Sequence, residues 1–180
     1  PETTAAWVEE AKPSLAEAKR LGVDTLIVTT GNEIEGLSRD EQHQAIVAGL
    51  KGLAPFAEEA GITVCLEPLN LRVDHAGYYL STSEEGFQIL DEVGSPRVKL
   101  LFDIYHQQIT EGDLISRITS NISKIGHFHV ADVPGRMEPG TGEINYVNVF
   151  KAIAATDYAD HVGLEFRCSG TPEAALAQVR

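Results

Sequence analysis

The sequence contains little cysteine and no long apolar run. Its two cysteines, Cys65 and Cys168, are too few for a disulfide framework, and both lie in apolar, strand-like stretches. We therefore expect two reduced thiols in the core of a cytoplasmic protein. No stretch approaches the roughly 18 consecutive apolar residues of a membrane span, so we expect no membrane partner.

Basic residues are also scarce. The chain has 14 Lys and Arg against 27 Asp and Glu, which gives a formal net charge of −13. A surface this negative repels nucleic-acid phosphates and acidic lipids, so we expect neither as a partner. With 180 residues, 43% hydrophobic and 23% charged, the chain is typical of one globular domain, which we place at residues 1–180.

What the sequence does contain is a regular alternation of strand-like and helix-like segments. Apolar or β-branched runs predict five strands, at residues 25–30, 63–69, 98–105, 127–133 and 161–166. Caps and apolar periodicity predict six helices, at residues 3–20, 38–61, 81–94, 113–126, 145–158 and 171–180. This alternation indicates an α/β fold with a parallel sheet, and the near-continuous apolar strands fit a sheet that is covered on both sides.

Four of the predicted strands carry a polar residue at or near the C-terminal end: Glu67, Asp103, His129 and Glu165. In a β/α barrel these strand ends converge on one face, where active sites lie. Carboxylates favour Mg²⁺ or Mn²⁺, and an imidazole shifts the preference towards Mn²⁺, Co²⁺ or Zn²⁺. Each residue alone is more often a cap, an ion-pair partner or a satisfied histidine. Their recurrence at the same point of consecutive units favours a shared metal site.

Three further residues are candidates for substrate binding. His106 follows Asp103 by three residues and is close enough in sequence to face the same cavity, with a loop histidine as the alternative. The glycine- and proline-rich segment 133–143 carries Arg136, whose guanidinium suits a substrate carboxylate or hydroxyl, although a surface arginine is the default. Asn70 begins the segment 70–80, which we interpret as a lid or a dimer contact, and we include it in this group.

Four segments in this order resemble the hydroxypyruvate isomerase group of the xylose isomerase-like TIM-barrel superfamily: "LEPLN", "DIYHQQITEGDL", "IGHFHVADVPGRMEPGTGEINY" and "VGLEF". The similarity extends from about Leu21 to about Thr171. The resemblance implies a divalent metal held by the four strand-end residues. It also implies that Glu67 and Glu165 are the catalytic acid and base, and that His106 and Arg136 hold the substrate.

The resemblance further implies a TIM (β/α)8 barrel that is incomplete in this chain. The five predicted strands match the fourth to eighth strands of the barrel, and a typical barrel needs about 250 residues. We therefore expect about three βα units to be missing at the N-terminus. The sheet edge left exposed favours association into a homo-oligomer.

The implied reaction is the metal-dependent isomerisation of small hydroxycarbonyl compounds, of the hydroxypyruvate and tartronate semialdehyde type, through an enediolate. Mn²⁺ or Mg²⁺ is the expected metal, with Co²⁺ or Zn²⁺ as alternatives. Hydroxypyruvate isomerases often carry glutamine at the position of His129, whereas ketose epimerases carry histidine. A ketose 3-epimerase or other sugar isomerase therefore stays open. The alternative of another class is a non-catalytic barrel fragment that self-associates.

Overall fold

The fold is an open, five-stranded parallel sheet whose strands lie in chain order. The structure of the protein is a computed structural model that describes residues 2–179, with side chains described for residues 4–179. The strands are β1 Thr25–Val28, β2 Thr63–Leu66, β3 Val98–Asp103, β4 Ile125–Val130 and β5 Val162–Leu164. The helices are α1 Glu2–Leu21, α2 Arg39–Ala60, α3 Ser83–Val93, α4 Ile104–Thr110, α5 Leu114–Asn121, α6 Tyr146–Ala154 and α7 Pro172–Gln178.

Successive side chains alternate between the two faces of the sheet, and this separates the core from the site. Leu100 and Phe102 of β3 share the helix-covered face and are fully buried. Gly86 of α3 lies so close that a Cβ atom there would be 2.5 Å from Cδ1 of Leu100. Burying each large apolar side chain contributes about 1.5–3 kcal/mol, so this packing holds the strand in register. Asp103 is consequently directed to the opposite face.

The helices begin and end where local sequence signals place them. At the N-terminus of α2, Ser38 Oγ accepts the N–H of Glu41, and the Glu41 carboxylate accepts the N–H of Ser38, as the predicted capping box requires. Gly61 ends α2 in the left-handed conformation, with φ 74°. Pro13 lies inside α1, which continues through it. Among the helices of residues 2–179, none is long and apolar enough to cross a bilayer.

Several predicted boundaries were wrong. The strand predicted at 98–105 ends at Asp103, and α4, which was not predicted, begins at the next residue. The helix predicted at 113–126 ends in a 3₁₀ turn at 122–124, and β4 begins at Ile125. The β-type residues Ile104 and Tyr105 explain the first error, because apolar pattern alone does not separate a strand from a buried helix. Arg180, in the last predicted helix, lies outside the described residues.

The two cysteines lie in different environments. Cys65 is fully buried, and this burial, with the nearby charge of Asp160, raises the pKa of its thiol to about 12. Cys168 is exposed. The expectation of two core thiols is therefore correct for Cys65 and wrong for Cys168.

Both edges of the sheet are open within residues 2–179. Strand β1 pairs with β2 alone, and β5 pairs with β4 alone. Ile27 on β1 is 48% exposed and Leu164 on β5 is 46% exposed. The count, order and parallel direction of the five strands agree with the prediction, while the absent N-terminal units stay a prediction.

Candidate metal centre and active site

The four residues predicted at the strand ends meet at the C-terminal edge of the sheet. One potential ligand atom from each of Glu67, Asp103, His129 and Glu165 lies within 4.8 Å of the other three. The first three residues are buried, whereas the side chain of Glu165 is 48% exposed. The site therefore has a closed side, formed by β2 to β4, and a more open side at β5.

Backbone pairing carries both glutamates to this edge, although each lies one residue beyond its strand. The N–H of Glu67 donates to the carbonyl of Val28 at 3.0 Å, and that of Glu165 donates to the carbonyl of Val130 at 3.1 Å. The hydroxyl of Tyr78 also donates to the carbonyl of Glu67, at 3.0 Å. The two N–H bonds extend the parallel ladders, and they hold both α-carbons in place.

Asp103 uses its two oxygens for different purposes. Oδ1 caps α4 by accepting the N–H groups of Tyr105 at 2.8 Å and His106 at 3.2 Å. Oδ2 faces the site, 3.6 Å from Nε2 of His106 and 3.8 Å from Nη2 of Arg136. Burial, and then the neighbouring charge of Glu67, raises the pKa of Asp103 to about 7. A positive charge placed between the carboxylates would oppose this rise.

His129 lies between the two glutamates. Its Nδ1 is 3.2 Å from Oε2 of Glu165 and 3.6 Å from Oε1 of Glu67, and it is buried without an aligned hydrogen bond. Burial opposes a charge on the ring, but the two carboxylates outweigh it and raise the pKa of His129 to about 9. In turn His129, with a smaller contribution from Arg136, lowers the pKa of Glu165 to about 2 despite its partial burial.

A glycine makes room for this imidazole. Gly163 of β5 lies opposite His129 in the strand register. A Cβ atom at residue 163 would lie 2.9 Å from Cδ2 of His129 and 2.9 Å from Nε2 of His127. Any other residue at this position would therefore displace one of the two rings.

The ring of His106 is held in one tautomer by Asn70. The N–H of Val73 donates to Oδ1 of Asn70 at 2.9 Å, which leaves the amide nitrogen as the donor to Nδ1 of His106 at 2.7 Å. The same amide donates to Asp74 at 2.8 Å. Because Nδ1 accepts, the neutral ring carries its proton on Nε2, which is buried and has no aligned partner.

This histidine is also kept neutral. Burial, followed by the charges of Arg136 and His75, lowers the pKa of His106 to about 3. His106 therefore presents a neutral N–H donor to the site over the physiological range. Asn70 is fully buried and supports His106, so its predicted role as a direct substrate contact stays a prediction.

The segment 133–143 brings Arg136 next to Glu165 and Asp103, while its predicted contact with the substrate stays a prediction. Its Nη2 donates to Oε2 of Glu165 at 2.7 Å and lies 3.8 Å from Oδ2 of Asp103. The guanidinium carbon lies 5.0 Å from the ring centroid of Tyr105, within the range of a cation–π contact. The guanidinium thus adjoins the open side of the site.

The donor set fits a divalent cation. Ligands at about 2.0–2.2 Å from an ion lie at most about 4.4 Å apart, so a cluster within 4.8 Å needs only a small contraction. Three carboxylates and one imidazole suit Mn²⁺ or Mg²⁺, and also Co²⁺ or Zn²⁺. Nδ1 of His129 makes no aligned hydrogen bond, so the neutral ring offers this atom as a nitrogen ligand.

Sequence reasoning missed the residues that support the site. Tyr105 and Gly163 lie within predicted segments, but their roles depend on contacts between distant residues. Asp132 was also missed, because three of the backbone N–H groups that its carboxylate accepts lie 8 to 12 residues along the chain.

A cavity of about 250 Å³ lies elsewhere, between α1, β1 and α2, lined largely by apolar side chains such as Trp7, Ile46 and Leu50. It contains none of the four clustered residues. The cavity is next to the open edge of β1, so we associate it with packing at that edge rather than with chemistry.

Three known proteins are similar to this chain. A hydroxypyruvate isomerase from Escherichia coli (strain K12) is 37% identical over 159 residues, 88% of this chain and 61% of the relative. A crystal structure of an AP endonuclease of family 2 from Brucella melitensis is 32% identical, with a TM-score of 0.91, over 97% of this chain and 67% of that one. A structure of L-ribulose 3-epimerase is 28% identical, with a TM-score of 0.78, over 97% of this chain and 58% of that one.

The chain thus spans 61% of the length of the hydroxypyruvate isomerase it matches. The family model of the xylose isomerase-like TIM barrel matches residues 1–180. The similar structures have the same fold over almost all of this chain. This chain belongs to the xylose isomerase-like TIM barrel family.

Proposed function

We propose that the protein is a metal-dependent isomerase of small hydroxycarbonyl compounds, of the hydroxypyruvate and tartronate semialdehyde type. One observation carries the proposal: Glu67 and Glu165 flank the imidazole of His129 from two strands, and Asp103 completes a cluster of four donors. The name of the Escherichia coli relative supports this substrate class. The proposed partners are therefore small molecules, and the net charge of −13 disfavours nucleic acid.

Such an isomerisation removes a proton from the carbon next to a carbonyl group and returns it one carbon away, through an enediolate. A bound divalent cation, Mn²⁺ or Mg²⁺ in the first place, supplies charge stabilisation for the substrate oxygens. Glu165 is ionised at neutral pH and lies on the open side, as proton removal requires. Glu67 faces the substrate from the buried side and exchanges the proton at the neighbouring carbon.

Two residues would orient the substrate. The Nε2–H of His106 is a neutral donor in a fixed tautomer, so it binds a carbonyl or hydroxyl oxygen without protonating it. The guanidinium of Arg136 supplies a second donor on the open side, suited to a carboxylate or a hydroxyl group. Orientation by these two groups is what aligns a small, flexible substrate between the glutamates.

A ketose 3-epimerase is the second candidate. It is favoured by the imidazole of His129 in the donor set and by the structural similarity to L-ribulose 3-epimerase. The same pair of glutamates would then remove and return a proton at one carbon of a longer ketose. The two candidates differ in substrate length, so assays must include short ketoses.

A non-catalytic fragment is the candidate of another class. In a closed barrel, loops from all eight strands surround the active site, whereas this sheet has five strands and open edges at β1 and β5. Such a fragment would self-associate to cover these edges. The free cysteines Cys65 and Cys168 support our placement of the protein in the cytoplasm.

Deuterium wash-in from heavy water tests the proposal, since it reports enediolate formation even when net turnover is slow. The chain is incubated with Mn²⁺ or Mg²⁺ and with hydroxypyruvate, tartronate semialdehyde or a short ketose. We expect wash-in by the wild type and its loss in both Glu67→Gln and Glu165→Gln, because an amide cannot relay a proton. Glu59→Gln, at an exposed glutamate of α2, is the matched control and should be fully active.

The substrate series distinguishes the candidates. Wash-in confined to ketoses would favour the epimerase. No wash-in with any compound by a correctly folded chain, with activity restored in a longer chain carrying further N-terminal βα units, would favour the inert fragment. Wash-in that persists in both glutamine variants would contradict the roles of the two glutamates.

A further inference from the structure

Asp132 lies at the start of the segment that follows β4, and its carboxylate binds the backbone of that segment. Its side chain is fully buried and its two oxygens accept four backbone N–H groups. Oδ1 accepts from Val133 at 2.9 Å and Ile144 at 3.1 Å. Oδ2 accepts from Gly140 at 2.8 Å and Gly142 at 2.9 Å. One carboxylate therefore holds both ends and the middle of the segment 133–144.

This arrangement requires a glycine at residue 142. A Cβ atom there would lie 2.1 Å from the carbonyl oxygen of Val133 and 2.7 Å from Oδ1 of Asp132. Real Cβ atoms do not approach other atoms so closely, so the segment must be displaced by any larger residue. The close approach shows that the backbone is wrapped tightly around the carboxylate.

A second buried carboxylate anchors the far side of the segment. Glu138 is 3% exposed and accepts the N–H of Ser169 at 2.9 Å and its hydroxyl. The carbonyl of Arg136 accepts the N–H of Arg167 at 2.8 Å. The segment is thus a built structure that joins the end of β4 to the residues after β5.

The residue this structure presents to the site is Arg136. Its backbone has a positive φ of 57°, which a non-glycine residue adopts only when its surroundings impose it. Its N–H donates to the carbonyl of Asp132 at 3.0 Å. In this conformation its guanidinium reaches the carboxylate of Glu165, 2.7 Å away.

We propose that Asp132 is a positioning residue, which fixes Arg136 against Glu165 by holding the segment 133–144 in one conformation. The segment is then a preformed wall of the site rather than a lid that closes over it. This inference goes beyond the proposed function, and its test requires neither turnover nor a bound metal. Its failure and the failure of the isomerase proposal are therefore distinguishable.

The test follows the Nη2–H groups of Arg136, which contact Glu165, by NMR of ¹⁵N-labelled protein, with their signals assigned by their loss in Arg136→Lys. In the wild type we expect these protons to exchange with water at least about tenfold more slowly than those of exposed arginines. Asp132→Asn replaces one acceptor oxygen by a donor that opposes two N–H groups, so the exchange rate should rise to that of exposed arginines. Asp157→Asn, at an exposed aspartate after α6, is the matched control and should leave the rate unchanged.

Gly142→Ala disturbs the same segment while retaining the carboxylate of Asp132. It should also raise the exchange rate of the Arg136 guanidinium protons to that of exposed arginines. Thermal unfolding of each variant shows whether the whole chain is still folded, so a local displacement of the segment 133–144 can be distinguished from global unfolding. If neither variant folds, the test uses the wild type alone. Slow exchange of its amide protons at residues 140, 142 and 144 would then support the proposal. Rapid exchange of these amides, or a protected Arg136 in folded Asp132→Asn, would overturn it.

Discussion

Nδ1 of His129 lies 3.2 Å from Oε2 of Glu165 and makes no aligned hydrogen bond. A protonated ring is stabilised there by the carboxylates of both glutamates. A neutral ring instead offers its lone pair to a cation, and an imidazole must be neutral to act as a ligand. A proton and a cation therefore compete for this nitrogen, and the competition links metal affinity to pH.

The first prediction concerns metal affinity. Glu165→Gln should weaken Mn²⁺ binding at least about tenfold, because the amide retains the shape of the side chain but not its charge. Isothermal titration calorimetry of Mn²⁺ into both chains measures the difference. Glu59→Gln removes an equal charge far from the site and should leave the dissociation constant unchanged. Equal affinities for the wild type and Glu165→Gln would contradict a shared metal site.

The second prediction concerns pH. In protein stripped of divalent cations, the ring of His129 should titrate near pH 9, and that of His106 should stay neutral down to about pH 3. The NMR shift of each Cε1 proton, assigned with His129→Gln and His106→Gln, measures both midpoints. Added Mg²⁺ should lower the midpoint of His129 alone, since binding displaces its proton. A midpoint of His129 that Mg²⁺ leaves unchanged would exclude it as a ligand.

The two histidines also affect stability with opposite signs. The pKa of His129 is raised above 6.5, so its ion pairs stabilise the folded chain fully below pH 6.5, and this stabilisation is lost as the pH rises through about 9. The pKa of His106 is lowered, so the unfolded chain takes up its proton first and stability falls as the pH drops from about 6.5 towards 3. Thermal unfolding against pH, compared with each glutamine variant, separates the two contributions.

The third prediction concerns the glycine beside the imidazole. Gly163→Ala should weaken Mn²⁺ binding about tenfold, because the added methyl group displaces the ring of His129 or of His127 from its place. Gly170→Ala is the matched control: it lies in the same region of the chain, with open space around its Cβ position. Calorimetry of both variants provides the comparison, and unchanged binding by folded Gly163→Ala would show that the ring has room to adjust.

The clustering of the four strand-end residues was predictable because parallel strands bring their C-terminal ends to one edge. Glu67 and Glu165 lie almost one hundred residues apart, yet each follows an apolar run, so their common location follows from the topology. The cap function of Asp103 was not predictable from hydrophobic pattern. The next residues, Ile104 and Tyr105, have strand propensity, and only their packing shows that α4 begins there.

The supporting residues were less predictable for a different reason. The four N–H groups that Asp132 accepts come from residues up to 12 positions away, and no periodic pattern marks them. The tautomer of His106 depends on the amide orientation of Asn70, which the N–H of Val73 determines. Such networks follow from tertiary contacts that a single sequence does not encode in any local signal.

The last prediction concerns association through the open edge of β1. Ile27 is 48% exposed on an edge strand, and Ile34 and Leu37 in the following loop are 59% and 47% exposed. An apolar strand edge of this kind favours pairing with another chain, so we expect dimers or larger assemblies at micromolar concentration. Analytical ultracentrifugation measures the mass directly, and a stable, monodisperse monomer would contradict this prediction.

A charged residue on the edge identifies the surface that associates. Ile27→Lys should shift the distribution towards the monomer, because an ammonium group on an edge strand opposes strand pairing. Val147→Lys places the same charge on α6, where the native valine is 64% exposed, and should leave the mass unchanged. Dissociation by the lysine on α6 alone would locate the interface on the helical face. Dissociation by the lysine on β1 alone would show that the open edge is the surface that a second chain covers.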